Sequence, residues 1–473
     1  MTLFEHDVAE QAIKDLYLAG GSVIFIFCYM WFHTSSLWIT VWSVISILSS
    51  FLATNLFYRV ILDFRYFGFF HVLSLFIILG IGADDLFVFY DSWRATGLTS
   101  YPSLAHRLSS AYRKSTLSMF VTSVTTMAAF ASTALTPLLA TKSFGIFSAL
   151  LIIIDYISMI LFFPTIVIFY HVKIKKCCTN CCSCCLKNTK ESTQITDNLI
   201  DNDFCQNEVT ETVVKKQPDV KVGNKIKSLG IKLILTINPL TTGFKDGITL
   251  VEAWEDFMIE QKSTMPASLQ GGFQVGWKIW HWFYVQRVLY ENAIMGILLG
   301  LSLTTIILLI SIQNIITSLL ASVTIAMVTI CVIGVIPLLG WKLGVLVSLN
   351  MCLVVGLSVD YVVHLAEGYT MSKHKDRKSR VQDSLETMAT SVYSGACTTL
   401  GASVFMLFSQ IIFFFQFGIF MFFTIGFSIL FSLGLFITLM GTIGPENDTG
   451  DIKAIFRKLR HFVLNRSTHC VET

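Results

Sequence analysis

Ten stretches of this chain read as membrane-crossing helices, and they fall into two groups of five. A transmembrane helix needs about 20 mostly apolar residues. The first group occupies 17–35, 37–58, 66–90, 116–138 and 144–172; the second occupies 291–312, 314–338, 343–366, 388–409 and 413–443. Of the 473 residues, 54% are apolar and only 14% charged, against roughly a quarter charged in ordinary soluble domains. That balance excludes a soluble enzyme and a disordered chain. A net charge of +3 is too small to attract polyanions, so no nucleic-acid partner is expected. The fold class is an all-α polytopic membrane protein.

The remaining stretches divide as follows: an N-terminal stub over 1–16, a polar linker over 173–225, an amphipathic aromatic segment over 226–290, and a tail over 444–473. No cationic region precedes the first span, so no signal peptide is read there. Lys and Arg collect in cytoplasmic loops. Arg94, Arg107, Arg113 and Lys114 follow the third span, and Lys173, Lys175 and Lys176 follow the fifth. In the second group Lys373, Lys375, Arg377, Lys378 and Arg380 follow the third span, and Lys453, Arg457, Lys458 and Arg460 lie in the tail. Each group therefore starts outside and ends inside. This requires a crossing between 173 and 290, where only Leu229–Leu240 is apolar, broken by Lys232 and Pro239. The alternative is an inverted second group.

The two groups resemble each other. Gly80-Ile-Gly82-Ala-Asp84-Asp85 lies in the third span of one, and Gly356-Leu-Ser-Val-Asp360-Tyr361 in the third span of the other, at an offset of 360 − 84 = 276. Gly68 and Gly344 each stand sixteen residues before the aligned Asp. Thr125-Thr126 matches Thr398-Thr399, and Phe144-Gly145-Ile-Phe matches Phe417-Gly418-Ile-Phe, both at 273. Ordered matches at nearly one offset predict a duplicated bundle of two five-helix repeats, whose sites tend to lie between the halves.

Asp84, Asp85 and Asp360 sit in apolar spans with no Lys or Arg beside them. Each Asp at a helix centre costs about 2.5–3.5 kcal/mol on insertion scales. Protonation, a bound cation or water must offset that, which is the physical basis of a cation- or proton-coupling site. Gly80, Gly82 and Gly356 would allow close approach, and the Asp84 and Asp360 faces are expected to meet. Thr125, Thr126, Thr398 and Thr399 could add hydroxyl oxygens. His364, one turn after Asp360, could be a hydrogen-bond partner or a proton relay, and Asp155 could join the site or bond only to a neighbour. Asp91 and Glu367, near the cytoplasmic ends, read as solvated. The bland alternative is that the acids stay protonated and merely line a wet crevice.

Cys177, Cys178, Cys181, Cys182, Cys184 and Cys185 follow the fifth span directly. Their pattern lacks the distant half of a usual zinc site, and juxtamembrane position favours S-palmitoylation. The sequons at Asn447 and Asn465 fall on the predicted cytoplasmic side and are expected to stay unused. No phosphate-binding glycine loop, nucleophile elbow or zinc-protease motif occurs, so no enzymatic chemistry is expected.

These residues point to a family. Gly-Ile-Gly-Ala-Asp84-Asp85-Leu-Phe-Val resembles the first-repeat motif of Dispatched proteins, and Gly356-Leu-Ser-Val-Asp360-Tyr-Val-Val-His364 their second-repeat counterpart. Trp280-His-Trp282 with Gln286 is similar to the end of their second extracellular domain. Dispatched belongs to the resistance–nodulation–division superfamily, with Patched and the Niemann–Pick type C transporter, and spans 17–172 resemble its sterol-sensing domain. The Ala-Asp-Asp form favours Dispatched over Patched.

The resemblance implies plasma-membrane export of cholesterol-modified Hedgehog, driven by sodium bound at Asp84, Asp85 and Asp360. It also implies twelve spans and two large extracellular domains; here 226–290 would be a remnant of the second, and the chain reads as a truncated member. The residues alone reach "cation or proton" and no further; sodium and Hedgehog come from the resemblance. The competing expectation is a sterol-binding scaffold or sensor that transports nothing.

Overall fold

The computed structural model describes residues 3–174, 243–266 and 278–453, save 65, 67, 99, 100, 137, 342, 343 and 448. Among them there is no strand, only an isolated bridge between Asn314 and Asp451. The first repeat holds α1 (Leu3–Thr34), α2 (Leu37–Val60), α3 (Phe69–Ala95), α4 (Leu104–Thr133) and α5 (Leu139–Phe169). A separate helix, α6 (Phe244–Thr264), precedes the second repeat: α7 (Lys278–Ile312), α8 (Ile315–Leu338), α9 (Val345–Met371), α10 (Arg377–Leu407), α11 (Ile412–Leu430) and α12 (Ile437–Thr442). A π-helical turn over Phe431–Phe436 joins the last two.

Local signals set the boundaries in matching pairs. Ser35 and Gln313 adopt left-handed backbone (φ 51° and 56°), which reverses the chain after α1 and α7. Ser36 and Asn314 then cap α2 and α8 by accepting from the amides of Ile39 and Thr317, satisfying free donors of the first turn. Gly68 and Gly344 are the N-caps of α3 and α9. Asp84 and Asp360 therefore stand at the same position in their helices, about 24 Å along at 1.5 Å per residue.

Eight of these helices are long and apolar enough to cross a membrane by length and composition. The expected spans over 116–138 and 388–409 form helices α4 and α10, which fall short because they begin with charged residues and are rich in Ser, Thr and Ala. They line the seam between the repeats, where lipid-level apolarity is not required. The expected stub over 1–16 is helical from Leu3 onward. Residues 449–452 fold back on the α7–α8 turn, with Ile315 N donating to Gly450 O and Ile452 N to Gln313 O, both 2.9 Å.

The repeats pack as a pseudo-twofold pair. α3 lies along α10 and α9 along α4; α1 meets α10 and α7 meets α4; α2 packs on α5 and α8 on α11. Along these seams α3 runs opposite to α10, and the Ser384 hydroxyl bond to Leu365 O shows α10 running opposite to α9. Both repeats thus point the same way, and their Arg- and Lys-rich loops share one end. The inverted second group is thereby overturned. Ile174 and α6 lie at opposite ends, since α6 packs on the start of α7 through Gly247, Phe283, Glu252 and Arg287. The apolar run Leu229–Leu240 lies outside the described residues.

Candidate functional site

The Asp84 and Asp360 helix faces do not meet, contrary to expectation; each packs instead on the Thr-bearing helix of the other repeat. A Cβ at Gly80 would lie 3.2 Å from the Thr399 hydroxyl, and a Cβ at Gly356 would lie 2.8 Å from Ala129 Cβ and 3.7 Å from Thr126 Cγ2. The small residues do permit close approach, but across α3–α10 and α9–α4. Gly82 faces its own repeat, against Ile47 of α2 and Asp155 of α5.

This exchange decides where each acid points. Asp84 is aimed at Gly395 of α10, where any Cβ would collide with its carboxylate. The Tyr361 phenol, next to Asp360 on α9, is placed against both Asp84 and Thr399. Asp360 accepts from the Thr126 hydroxyl at 3.3 Å, and Thr126 also reaches Gly356 O at 3.4 Å. Asp85 is buried beside Asp84, with Asp155 and Asp360 as its other acidic neighbours. Asp155 Oδ1 accepts from Ser50 of α2 at 2.8 Å. Its counterpart Ser428 donates to Ser358 O at 3.0 Å, so the first repeat carries an acid where the second carries a hydroxyl.

Three of the acids are deeply buried, Asp85 4%, Asp155 1% and Asp360 7% exposed, while Asp84 is half-buried. Asp84 Oδ1 and Asp155 Oδ2 have no hydrogen-bond partner. A buried carboxylate oxygen without a donor carries a large desolvation cost. It therefore marks a place where a proton, cation or water completes the site. Among the described residues no three His, Cys, Asp or Glu side chains form a cluster that could hold a metal ion; the oxygen set here is acid, phenol, hydroxyl and carbonyl.

The threonines divide. Thr126 and Thr399 face the acid helices, whereas Thr125 bonds to Val121 O and Thr122 O, and Thr398 to Ser394 O and Gly395 O. Those two hydroxyls serve their own helices. Toward the end that carries the Arg- and Lys-rich loops, His364 Nδ1 lies 2.7 Å from the Ser118 hydroxyl of α4. Asp91 accepts from Ser391 of α10 at 2.8 Å and sits 3.5 Å from His33 of α1. Asp91 and Glu367 are therefore packed between helices, not solvated as expected, and Glu367 is only 3% exposed. Gly395, Tyr361, Ser50, Ser118 and His33 carry no intramembrane charge, the signal that singled out the acids. The six Cys from Cys177 to Cys185 and Asn465 lie outside the described residues.

Two family profiles match in succession: "Sterol-sensing domain of SREBP cleavage-activation" over residues 32–188 and "MMPL family" over 286–469. Human protein dispatched homolog 1 is 30% identical over 163 residues, covering 34% of this chain and 11% of that protein. Drosophila melanogaster protein dispatched is 30% identical over 178 residues, covering 33% of this chain and 15% of that protein. The matched stretch is thus a small part of the length of these curated relatives. Among solved structures, the hedgehog release protein Disp from the water bear Hypsibius dujardini aligns with a TM-score of 0.68 at 15% identity, covering 92% of this chain and 71% of that one. SecDF from Thermus thermophilus aligns at 0.58 and 11% identity, covering 90% and 61%. At such identities these two likenesses concern the fold alone.

Proposed function

The chain belongs to the Dispatched family of the resistance–nodulation–division superfamily, and from that premise we propose that it is a cation-coupled transporter. It works in the plasma membrane, and its cargo is a sterol or a sterol-modified protein of the Hedgehog type. It is an integral multi-pass membrane protein, and Asp84, Asp85 and Asp360 carry the coupling cation. The observation that supports this most is Asp84, which carries a buried oxygen without a partner and abuts Gly395 and Tyr361 of the opposite repeat. Neutralising or charging such a group changes the electrostatics across the seam between the two halves. Changes there favour one packing over another. The cargo comes from the family and from the sterol-sensing profile over 32–188, not from the acids.

Replacing Asp84, Asp85 and Asp360 together with Asn keeps size and polarity and removes the charge. Release of a cholesterol-modified Hedgehog-type substrate from cells expressing the variant is expected to fall to background, with surface expression retained. Unchanged release would remove the coupling claim. A sterol photo-crosslink that survives the triple change, with no gradient-dependent release from either form, would establish the sterol-binding scaffold instead.

A further inference from the structure

Each repeat has a groove on its outer side, between α2 and α5 in the first and between α8 and α11 in the second. The first groove is closed by rings. Tyr58 of α2 and Phe147 of α5 are fully buried with centroids 5.5 Å apart, and His71 of α3 packs on Phe147 at 5.0 Å. The caps Ser36 and Asn314 give the α2–α8 offset, 314 − 36 = 278. The repeat equivalents are then 58 + 278 = 336, 147 + 273 = 420 and 71 + 276 = 347, which are Ile336, Phe420 and Val347. One ring of the three remains. Beside it lies a cavity of about 180 Å³, lined by Val332, Ile336, Trp341, Ile419, Phe420 and Phe423. The cavity sits at the end opposite the Arg- and Lys-rich loops, and Ile419 and Phe423 are half-exposed on its lipid side.

A second difference removes a polar contact behind the same groove. Ser74 of α3 and Ser148 of α5 share a hydrogen bond, with 3.0 Å between the oxygens. Their equivalents are Asn350, 74 + 276, and Met421, 148 + 273. A thioether is at most a weak acceptor. Asn350 is 1% exposed, and its Oδ1 and Nδ2 both lack a hydrogen-bond partner among the described residues. An amide in that state is costly at membrane depth, where bulk water does not replace the missing partner. Asn350 shares a face of α9 with Val347 and Val354, at i−3 and i+4. Those two valines pack with Val332, Ile336 and Phe420 of the cavity wall. The second groove therefore combines an apolar cavity with one polar amide on the face behind it, and its lining residues carry no charge.

We propose that the α8–α11 groove binds an acyl chain of a membrane lipid, with the Asn350 amide holding the carbonyl or hydroxyl next to that chain. An uncharged lining gives a headgroup phosphate nothing to pair with, so the recognised part is the chain and its first polar group. The cavity equals about six water molecules at roughly 30 Å³ each. That suits a few flexible methylenes and is too small for the rigid four-ring body of a sterol. An amide carries both a donor and an acceptor, which match a hydroxyl and an ester carbonyl. Asn350 stands six residues after Gly344, about 9 Å into α9 at 1.5 Å per residue. A lipid ester lies near that depth, at the inner edge of an interfacial layer roughly 5–8 Å thick. The site does not depend on the cation-coupled reading above.

The test is photolabelling of the full chain in phosphatidylcholine nanodiscs doped with phosphatidylcholine that carries a diazirine on one acyl chain, with labelled residues mapped by mass spectrometry. Label is expected on Val332, Ile419 and Phe423 and not on their first-repeat equivalents Thr54, Ile146 and Leu150. Ile336→Tyr restores the first-repeat ring and should lower the label about ten-fold. Asn350→Leu should lower it about three- to ten-fold, the scale of one lost hydrogen bond. Asn350→Ser with Met421→Ser rebuilds the hydroxyl pair of the first repeat; it should lose label to the same extent while its thermal midpoint stays at or above that of the unaltered chain. Where Ile336→Tyr fails to fold, this double variant decides. Equal label at Thr54, Ile146 and Leu150 would reveal annular lipid only and overturn the site, as would label that these variants leave unchanged. A sterol diazirine probe that labels Ile419 and Phe423 more strongly than the acyl probe would overturn the acyl assignment.

Discussion

At Gly395 a single hydrogen atom in place of a methyl group leaves room for the Asp84 carboxylate. Gly395→Ala is therefore expected to displace Asp84 from Tyr361 without removing any charge. Overpacking of this kind costs about 1–3 kcal/mol, so the variant should fold with a lowered thermal midpoint in detergent and lose most cation-dependent flux. Full flux would show that Asp84 has freedom to move. The acids themselves were readable because a carboxylate in an apolar run has so few explanations. Gly395, Ser118 and His33 were not, because a glycine or serine inside a membrane helix is ordinary and its meaning depends on a residue hundreds of positions away. Thr125 and Thr398 looked equal to Thr126 and Thr399 for the same reason. Neighbours in sequence lie 100° apart on a helix, and only one of each pair faces the acid helix.

Among elements, α1 and α7 tie each repeat to the other at the end opposite the basic loops. Asp15 of α1 accepts from Ser409 Oγ at 2.6 Å and from the amides of Gln410 and Ile411 at 2.9 Å, in the turn that opens α11. Asn292 of α7 donates to Thr136 Oγ1 at 2.8 Å, in the corresponding turn between α4 and α5. The turn positions are related by 409 − 136 = 273, the offset of the threonine motifs. Asp15 is 6% exposed and holds three donors in place of one. Asp15→Ala should cost about 1–3 kcal/mol and Asn292→Ala about 1 kcal/mol, ranked by thermal unfolding of purified protein. Equal losses would mean that the amides of Gln410 and Ile411 find other acceptors. Helix existence was legible from apolar length, but this tie was not. Residues 1–16 are too polar to read as part of a span, yet α1 extends into them because Asp15 is satisfied by the other repeat.

For the whole molecule the consequence of duplication is an exchange of partners: the acid-bearing helix of one half packs on the threonine-bearing helix of the other. The internal repeat made the two halves legible and placed the acids at equal depth. It could not tell whether like faces like, because either packing satisfies the same periodicity. A cross-link decides between the two. A Cβ at Gly80 would stand 3.8 Å from Thr399 Cβ, within the 3.5–4.5 Å range of disulfides. Gly80→Cys with Thr399→Cys should therefore oxidise readily in membranes, with the linked peptides identified by mass spectrometry. Gly80→Cys with Gly356→Cys should not, since Gly356 is occupied by Ala129 and Thr126 of α4. If the halves move against each other during transport, the Gly80–Thr399 link should also stop cation flux, and reduction should restore it. A linked chain that still conducts would place the working motion elsewhere than the α3–α10 seam.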